Sequence, residues 1–140
     1  MFTSDNGAIC PNARAVGRSL IYLGVSVFLA LFGAVYELFS HGVYSYFMIY
    51  SFAVPLLGGC LPWLLAAKGC IPEPGTWSGL LMAFAVSVLS TGSVFRGVLE
   101  IYGTTNRLSA VYLWAGIALS VLFAAAYSAE TVAAKRKPQA

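Results

Sequence analysis

The sequence predicts an all-α fold: an integral membrane bundle of four antiparallel transmembrane helices with the N- and C-termini cytoplasmic. Three observations predict it. Of the 140 residues, 59% are hydrophobic and only 9% are charged, whereas a soluble domain carries about 25% charged residues. The apolar residues form four uninterrupted stretches. Each stretch is about 20 residues long, which at ~1.5 Å per residue matches a hydrocarbon core of ~30 Å.

The four stretches belong to a single domain that covers residues 1–140, with a short lead-in (1–14) and a basic tail (132–140). Their ranges are 20–39, 46–67, 77–95 and 108–129. A helix satisfies all of its own backbone hydrogen bonds, as the bilayer interior requires. Because the loops between the stretches are short, consecutive helices are expected to run antiparallel.

The basic residues predict the orientation in the membrane. One side of a four-span layout receives six of them, namely Arg14, Arg18, Lys68, Lys135, Arg136 and Lys137. The other side receives Arg96 and Arg107. Since positive residues stay in the cytoplasm, both termini are expected inside. The segment 36–59 (YELFSHGVYSYFMIYSFAVPLLGG) looks like a family signature from an uncharacterised bacterial membrane protein. The expected location is the bacterial inner (plasma) membrane.

The second stretch contains an irregular segment in mid-membrane, with two prolines and a glycine pair. The residues for which a helix kink is predicted are Pro55, Gly58, Gly59 and Pro62. Each proline removes a backbone donor and collides with the preceding turn, so the helix should bend or break there. Two interpretations remain open: a simple proline kink, or a broken helix that is buried in protein or lines a wet cavity.

Small residues at steps of four predict where the helices touch, because they let backbones approach closely in lipid. The fourth stretch carries Gly116, Ser120, Ala124 and Ser128. The third carries Ala83, Ser87 and Thr91, with Gly75 and Gly79 at its start, and the first carries Tyr22, Ser26, Ala30 and Ala34. Packing within the bundle and a dimer interface both remain open for these ridges.

Four ionisable residues near the outer ends of the first and third stretches form the candidate ligand-binding site: Glu37, His41, Arg96 and Glu100. Within each pair the spacing is four, which brings side chains together on a helix, provided that the first helix continues through Ser40. Either Glu37 pairs with Arg96 to hold two helices together at headgroup level, or the cluster lines an outward-facing pocket for a small anionic ligand. In the second case His41 would titrate near neutral pH.

Several classes of protein do not fit the composition. Cys10, Cys60 and Cys70 form no C-x-x-C pair, and there is a single histidine, so no metal site and no cofactor is expected. A nucleic-acid surface needs a basic face on a folded domain, and the basic cluster 135–137 is better explained as a topological anchor in the lipid bilayer.

These observations lead to three functional hypotheses. The first is a non-enzymatic protein that binds or passes a small polar or anionic solute or ion through the outward-facing cluster. It would act as a homo-oligomer or as a subunit of a larger assembly, because four helices alone rarely enclose a path for a substrate. The alternative is a structural or regulatory subunit that packs against another membrane protein through the ridge of the fourth stretch. The third is a membrane enzyme in which His41 and Glu37 act as a base pair.

Overall fold

The computed structural model describes residues 12–104 and 106–136, in which all regular secondary structure is helical. Residues 1–11 and 137–140, with the predicted lead-in, Cys10 and the last part of the tail, lie outside the described residues. Four helices are long and apolar enough to cross a membrane: α1 (Ala13–Phe39), α2 (Tyr46–Ala67), α3 (Thr76–Ile101) and α4 (Leu108–Arg136). For the described residues, the predictions of an all-α fold and of four helices long and apolar enough to span a membrane are therefore confirmed.

Three helices extend well beyond the predicted apolar stretches: α1 at its start, and α3 and α4 at their ends. α1 begins at Ala13, because the side chain of Asn12 caps its first turn and accepts a hydrogen bond from the N–H of Arg14 at 3.2 Å. α4 continues through Glu130 to the end of the described chain. Hydropathy marks only the part of a helix that lies in hydrocarbon, and a helix can continue into the headgroup region, where charged side chains are stable.

α2 departs from regular α-helical geometry at two places. It contains a 3₁₀ turn at Tyr50–Phe52 and a π-helical segment at Leu56–Cys60. Pro62 has no N–H, and in a regular helix its ring would collide with the carbonyl of Gly58, four residues earlier. A π-helical turn is wider and lets that carbonyl move aside. The four residues for which the sequence predicts a kink lie within this irregular part of α2 or at its border.

Met48, at the start of α2, lies between α1 and α3 and is 1% exposed. A Cβ placed on Gly33 of α1 would lie 3.1 Å from the Met48 carbonyl oxygen, and one on Gly97 of α3 would lie 3.0 Å from Met48 Cβ. Glycine on both sides therefore lets the two neighbouring helices approach α2 closely. Further along, Ser26 Oγ of α1 donates a hydrogen bond to the carbonyl of Phe52 at 2.8 Å.

Trp63 is the centre of the apolar core at the other end of α2. It is 2% exposed and packs with Ala15, Ala67 and Met82 from three helices. The guanidinium of Arg18 lies over the Trp63 ring, 4.6 Å from its centroid. A cation–π contact of this kind lets a basic side chain cover an aromatic core residue.

α4 packs against α3, and no other helix in the described part of the chain contacts it to a comparable extent. Gly92 of α3 lies against Tyr112 of α4, and Gly116 of α4 lies against Leu89 of α3. α4 is the least buried of the four helices. Most of its surface therefore faces lipid or another protein.

The small-residue ridges coincide with helix contacts only in part. Ser87 and Thr91 of α3 are exposed, and on α4 Gly116 is buried whereas Ala124 and Ser128 are exposed. In a helix with 3.6 residues per turn, each step of four residues rotates the side chain by ~40°. A ridge of several such steps therefore turns away from the neighbouring helix.

Candidate functional site

Polar side chains gather at both ends of the helices. We call the end that contains the α1–α2 and α3–α4 loops the distal end. The opposite end contains the α2–α3 loop, the start of α1 and the end of α4, and we call it the terminal end. All four residues of the predicted ligand site lie at the distal end or one turn from it.

Arg96 and Glu100 form an ion pair one turn apart on α3, with Arg96 Nε 3.6 Å from Glu100 Oε1. The other carboxylate oxygen, Oε2, accepts a hydrogen bond from Ser45 Oγ at 2.8 Å. The Arg96 guanidinium also lies over the Phe47 ring, 4.2 Å from its centroid. This pair thus ties the end of α3 to the start of α2. The two side chains are 40% and 36% exposed, so the ion pair itself contributes at most about 1 kcal/mol.

His41 does not share a helix face with Glu37, so this expectation is wrong. α1 ends at Phe39, and the N–H of Ser40 donates to the Glu37 carbonyl at 3.2 Å. His41 then has φ +55°, in the left-handed region, and its Nδ1 lies 2.9 Å from the carbonyl oxygen of Phe39. The condition for a shared face, a helix that continues through Ser40, is not met.

Glu37 carries a buried oxygen, Oε1, for which the described chain provides no hydrogen-bond partner. The expected pair with Arg96 is not formed between these residues, because the ion pair of Arg96 is made with Glu100. A buried carboxylate oxygen without a partner is unfavourable in a medium of low dielectric constant. Glu37 can therefore accept a hydrogen bond from another molecule.

A pocket of ≈ 270 Å³ lies between α3 and α4 at the distal end, and we call it the distal pocket. Its polar lining consists of Arg96, Glu100, Thr104, Asn106, Arg107 and Ser109. Asn106 Oδ1 accepts a hydrogen bond from the N–H of Leu108 at 3.0 Å and so starts α4. Two guanidinium groups and the N-terminus of a long helix outweigh one carboxylate, so the pocket favours negative charge.

Glu130, at the terminal end, is the centre of a second polar cluster that the hydropathy pattern does not mark. Its carboxylate accepts hydrogen bonds from Gly75 N at 3.0 Å, Ser78 N at 3.4 Å and Ser78 Oγ at 2.6 Å. The N-cap residue of α3 is Gly75, which has no side chain. Glu130 of α4 therefore supplies the cap of α3, and its negative charge is favourable at a helix N-terminus.

The irregular segment of α2 borders an apolar cavity of ≈ 500 Å³, apart from the distal pocket, with Leu57, Gly58 and Pro62 in its wall. Ser120 is the polar side chain in this lining, and its hydroxyl donates to the Gly116 carbonyl at 2.8 Å. A wet path for an ion would need polar groups that are open to it. The geometry therefore favours the simple-kink interpretation over a water-filled break.

Metal ligands do not cluster in the described residues, where no three His, Cys, Asp or Glu side chains come together. Cys60 and Cys70 are both free thiols, and Cys70 is exposed. Comparison with known proteins adds no assignment, since no family model, no curated protein and no solved structure matches the chain.

Proposed function

We propose that this protein binds a small anionic solute in the distal pocket, as a binding or transport component of a bacterial inner membrane. It acts as a homo-oligomer or as a subunit of a larger assembly. The observation that carries the proposal is the presence of Arg96 and Arg107 in one pocket at the start of α4. Guanidinium groups donate strong, charge-assisted hydrogen bonds to anions, and backbone N–H groups at a helix N-terminus add to them.

In this proposal Arg96 exchanges partners when the solute enters. Arg96 is paired with Glu100, and an incoming anion competes with that carboxylate for the guanidinium. Glu100 keeps its hydrogen bond from Ser45, so the start of α2 stays anchored. Glu37 and His41 belong to the same end, and the buried oxygen of Glu37 has no hydrogen-bond partner in the described chain.

The proposal places the four helices antiparallel, with both termini in the cytoplasm and the distal pocket outside. Contacts between α3 and α4 support the antiparallel order, because Gly92 lies against Tyr112 whereas Gly75 lies near Glu130. Residue numbers thus fall along α4 as they rise along α3. The excess of basic residues at the terminal end supports the orientation.

Labelling of Cys70 with a membrane-impermeant maleimide tests this topology. In a Cys10→Ser, Cys60→Ser background, Cys70 in the α2–α3 loop is expected to react only after the cells are permeabilised. With Cys70→Ser added, a Thr104→Cys variant is expected to react in intact cells. Labelling of Cys70 in intact cells would place the distal pocket in the cytoplasm and contradict the proposal.

Equilibrium binding of inorganic phosphate and of sulfate to the purified protein in nanodiscs tests the anion site. Wild-type protein is expected to bind one of them at a saturable site. The double variant Arg96→Gln, Arg107→Gln should bind it at least about tenfold more weakly, since each hydrogen bond to a charged group contributes about 1.5–3 kcal/mol. The matched control, Arg14→Gln with Arg136→Gln at the terminal end, should bind as wild type. Equal affinity of both double variants would contradict the site.

A second candidate function is favoured by the exposure of α4. Within the described residues this helix packs mainly against α3, so a wide apolar surface remains for another membrane protein. The exposed face of the α4 ridge contains Ala124 and Ser128. Under this alternative, Ala124→Leu releases a co-purifying partner, whereas the Arg96→Gln, Arg107→Gln variant retains it. Retention of the partner by both variants would remove this alternative.

A further inference from the structure

A long groove of ≈ 670 Å³ lies between α1 and α3, apart from the distal pocket. Its walls are mainly apolar, and each wall carries an exposed aromatic ring, Phe28 on α1 and Phe95 on α3. A cavity of this size with apolar and aromatic walls and a few polar groups has the properties of a small-molecule site.

Ser90 places an unsatisfied hydroxyl in the wall of this groove. It is 8% exposed, and its Oγ makes no hydrogen bond within the described chain. Other buried serines satisfy themselves on their own helices, as Ser19 and Ser51 do with carbonyl oxygens 2.8 Å away. A buried hydroxyl without a partner is unfavourable. A molecule that brings a hydrogen-bond acceptor to Ser90 would therefore bind favourably in the groove.

The depth of Ser90 restricts what that acceptor can be. Ser90 lies ~21 Å along a helix that is ~39 Å long, at ~1.5 Å per residue, so it is near the middle of the membrane. Phospholipid ester and headgroup oxygens lie at the interfaces, and acyl chains bring no acceptor to this level. A neutral molecule that dissolves in hydrocarbon can bring an acceptor to this depth.

We propose that the groove binds a neutral, lipid-soluble ring ketone with an apolar tail, of the isoprenoid quinone class. Ser90 Oγ donates a hydrogen bond to a ring carbonyl, and the exposed rings of Phe28 and Phe95 offer contacts for the planar head. Ser87 and Thr91 lie in the same wall and provide two further hydroxyls. The tail lies along the apolar remainder of the groove.

Equilibrium binding of a short-tailed quinone, decylubiquinone, to the immobilised full-length protein in mild detergent tests the proposal. Wild-type protein is expected to retain the quinone at a saturable site. Ser90→Ala should weaken binding about threefold to tenfold, the usual effect of losing one hydrogen bond, while Ser128→Ala should have no effect. Val25→Trp fills the groove and should weaken binding by at least about tenfold, whereas Val27→Trp, on a neighbouring lipid-facing position outside the groove, should not.

The same quinone-binding assay tests the groove independently of the anion site. The Arg96→Gln, Arg107→Gln variant should bind decylubiquinone as wild type does. Failure of the anion-site proposal would therefore not affect the quinone proposal, and the reverse also holds. Equal quinone retention by wild type, Ser90→Ala and Val25→Trp would mean simple partitioning into detergent and would overturn the proposal. It would also be overturned if Val25→Trp dissociated a dimer of this chain while quinone retention was unchanged, because the groove would then hold a helix.

Discussion

Replacement of Gly92 by leucine is expected to separate α4 from α3 and to lower the free energy of unfolding by about 3 kcal/mol. A Cβ at this position would lie 2.6 Å from Tyr112 Cβ, the first atom of that side chain. That atom cannot move unless the backbone of α4 moves with it. Since α4 packs mainly against α3 among the described helices, the helix loses most of its support.

Thermal unfolding in mild detergent measures this effect, and α1 offers a matched control. A Cβ placed on Gly24 would meet no heavy atom of a neighbouring helix within 4 Å, so Gly24→Leu should leave the unfolding temperature unchanged or slightly higher. If Gly92→Leu and Gly24→Leu unfold at the same temperature, the close approach of α3 and α4 does not exist in the membrane protein.

Replacement of Glu130 by alanine is expected to cost about 2 kcal/mol of stability, because it removes the cap of α3. The N–H groups of Gly75 and Ser78 lose their carboxylate acceptor, and the Ser78 hydroxyl keeps only its longer bond to the Gly75 carbonyl at 3.3 Å. Glu130→Gln keeps one acceptor oxygen but no charge, so about half of the loss is expected. The hydroxyl of Tyr127, which donates to the Pro72 carbonyl at 2.8 Å, still joins α4 to the same loop.

The unfolding free energy of these variants in the same detergent provides the test. Ser128→Ala is the control, because that hydroxyl bonds its own helix at an exposed position. An unfolding free energy of Glu130→Ala within about 0.5 kcal/mol of wild type, the usual range for surface substitutions, would mean that water or lipid headgroups cap α3 equally well.

The helices could be predicted from the sequence because membrane insertion depends on a local property. A stretch of apolar residues must be helical in lipid whatever it packs against, and α2 spans the predicted residues 46–67. The ion pair of Arg96 and Glu100 was predictable for the same reason, since residues four apart on a helix meet without any help from the fold.

The remaining site residues depend on contacts that hydropathy and spacing do not contain. Glu130 acts on residues more than fifty positions earlier in the chain, so its role appears only when α4 lies against α3. Arg107 shares a pocket with Arg96 because the start of α4 lies beside the end of α3. The sequence did contain a local signal for the end of α1, namely Gly42. Glycine just past the end of a helix often has positive φ, and Gly42 has φ +88°, next to His41 at +55°.

The central claim, that the distal pocket holds an anion, is tested most directly by native mass spectrometry of the tagged protein after gentle extraction from its own membrane. The account predicts a homo-oligomer, or a subunit in an assembly, that carries a small bound anion, and it predicts that the Arg96→Gln, Arg107→Gln variant loses that mass. A wild-type protein that carries no small anion, and instead forms a stoichiometric complex with a different protein which the double arginine variant retains, would contradict it.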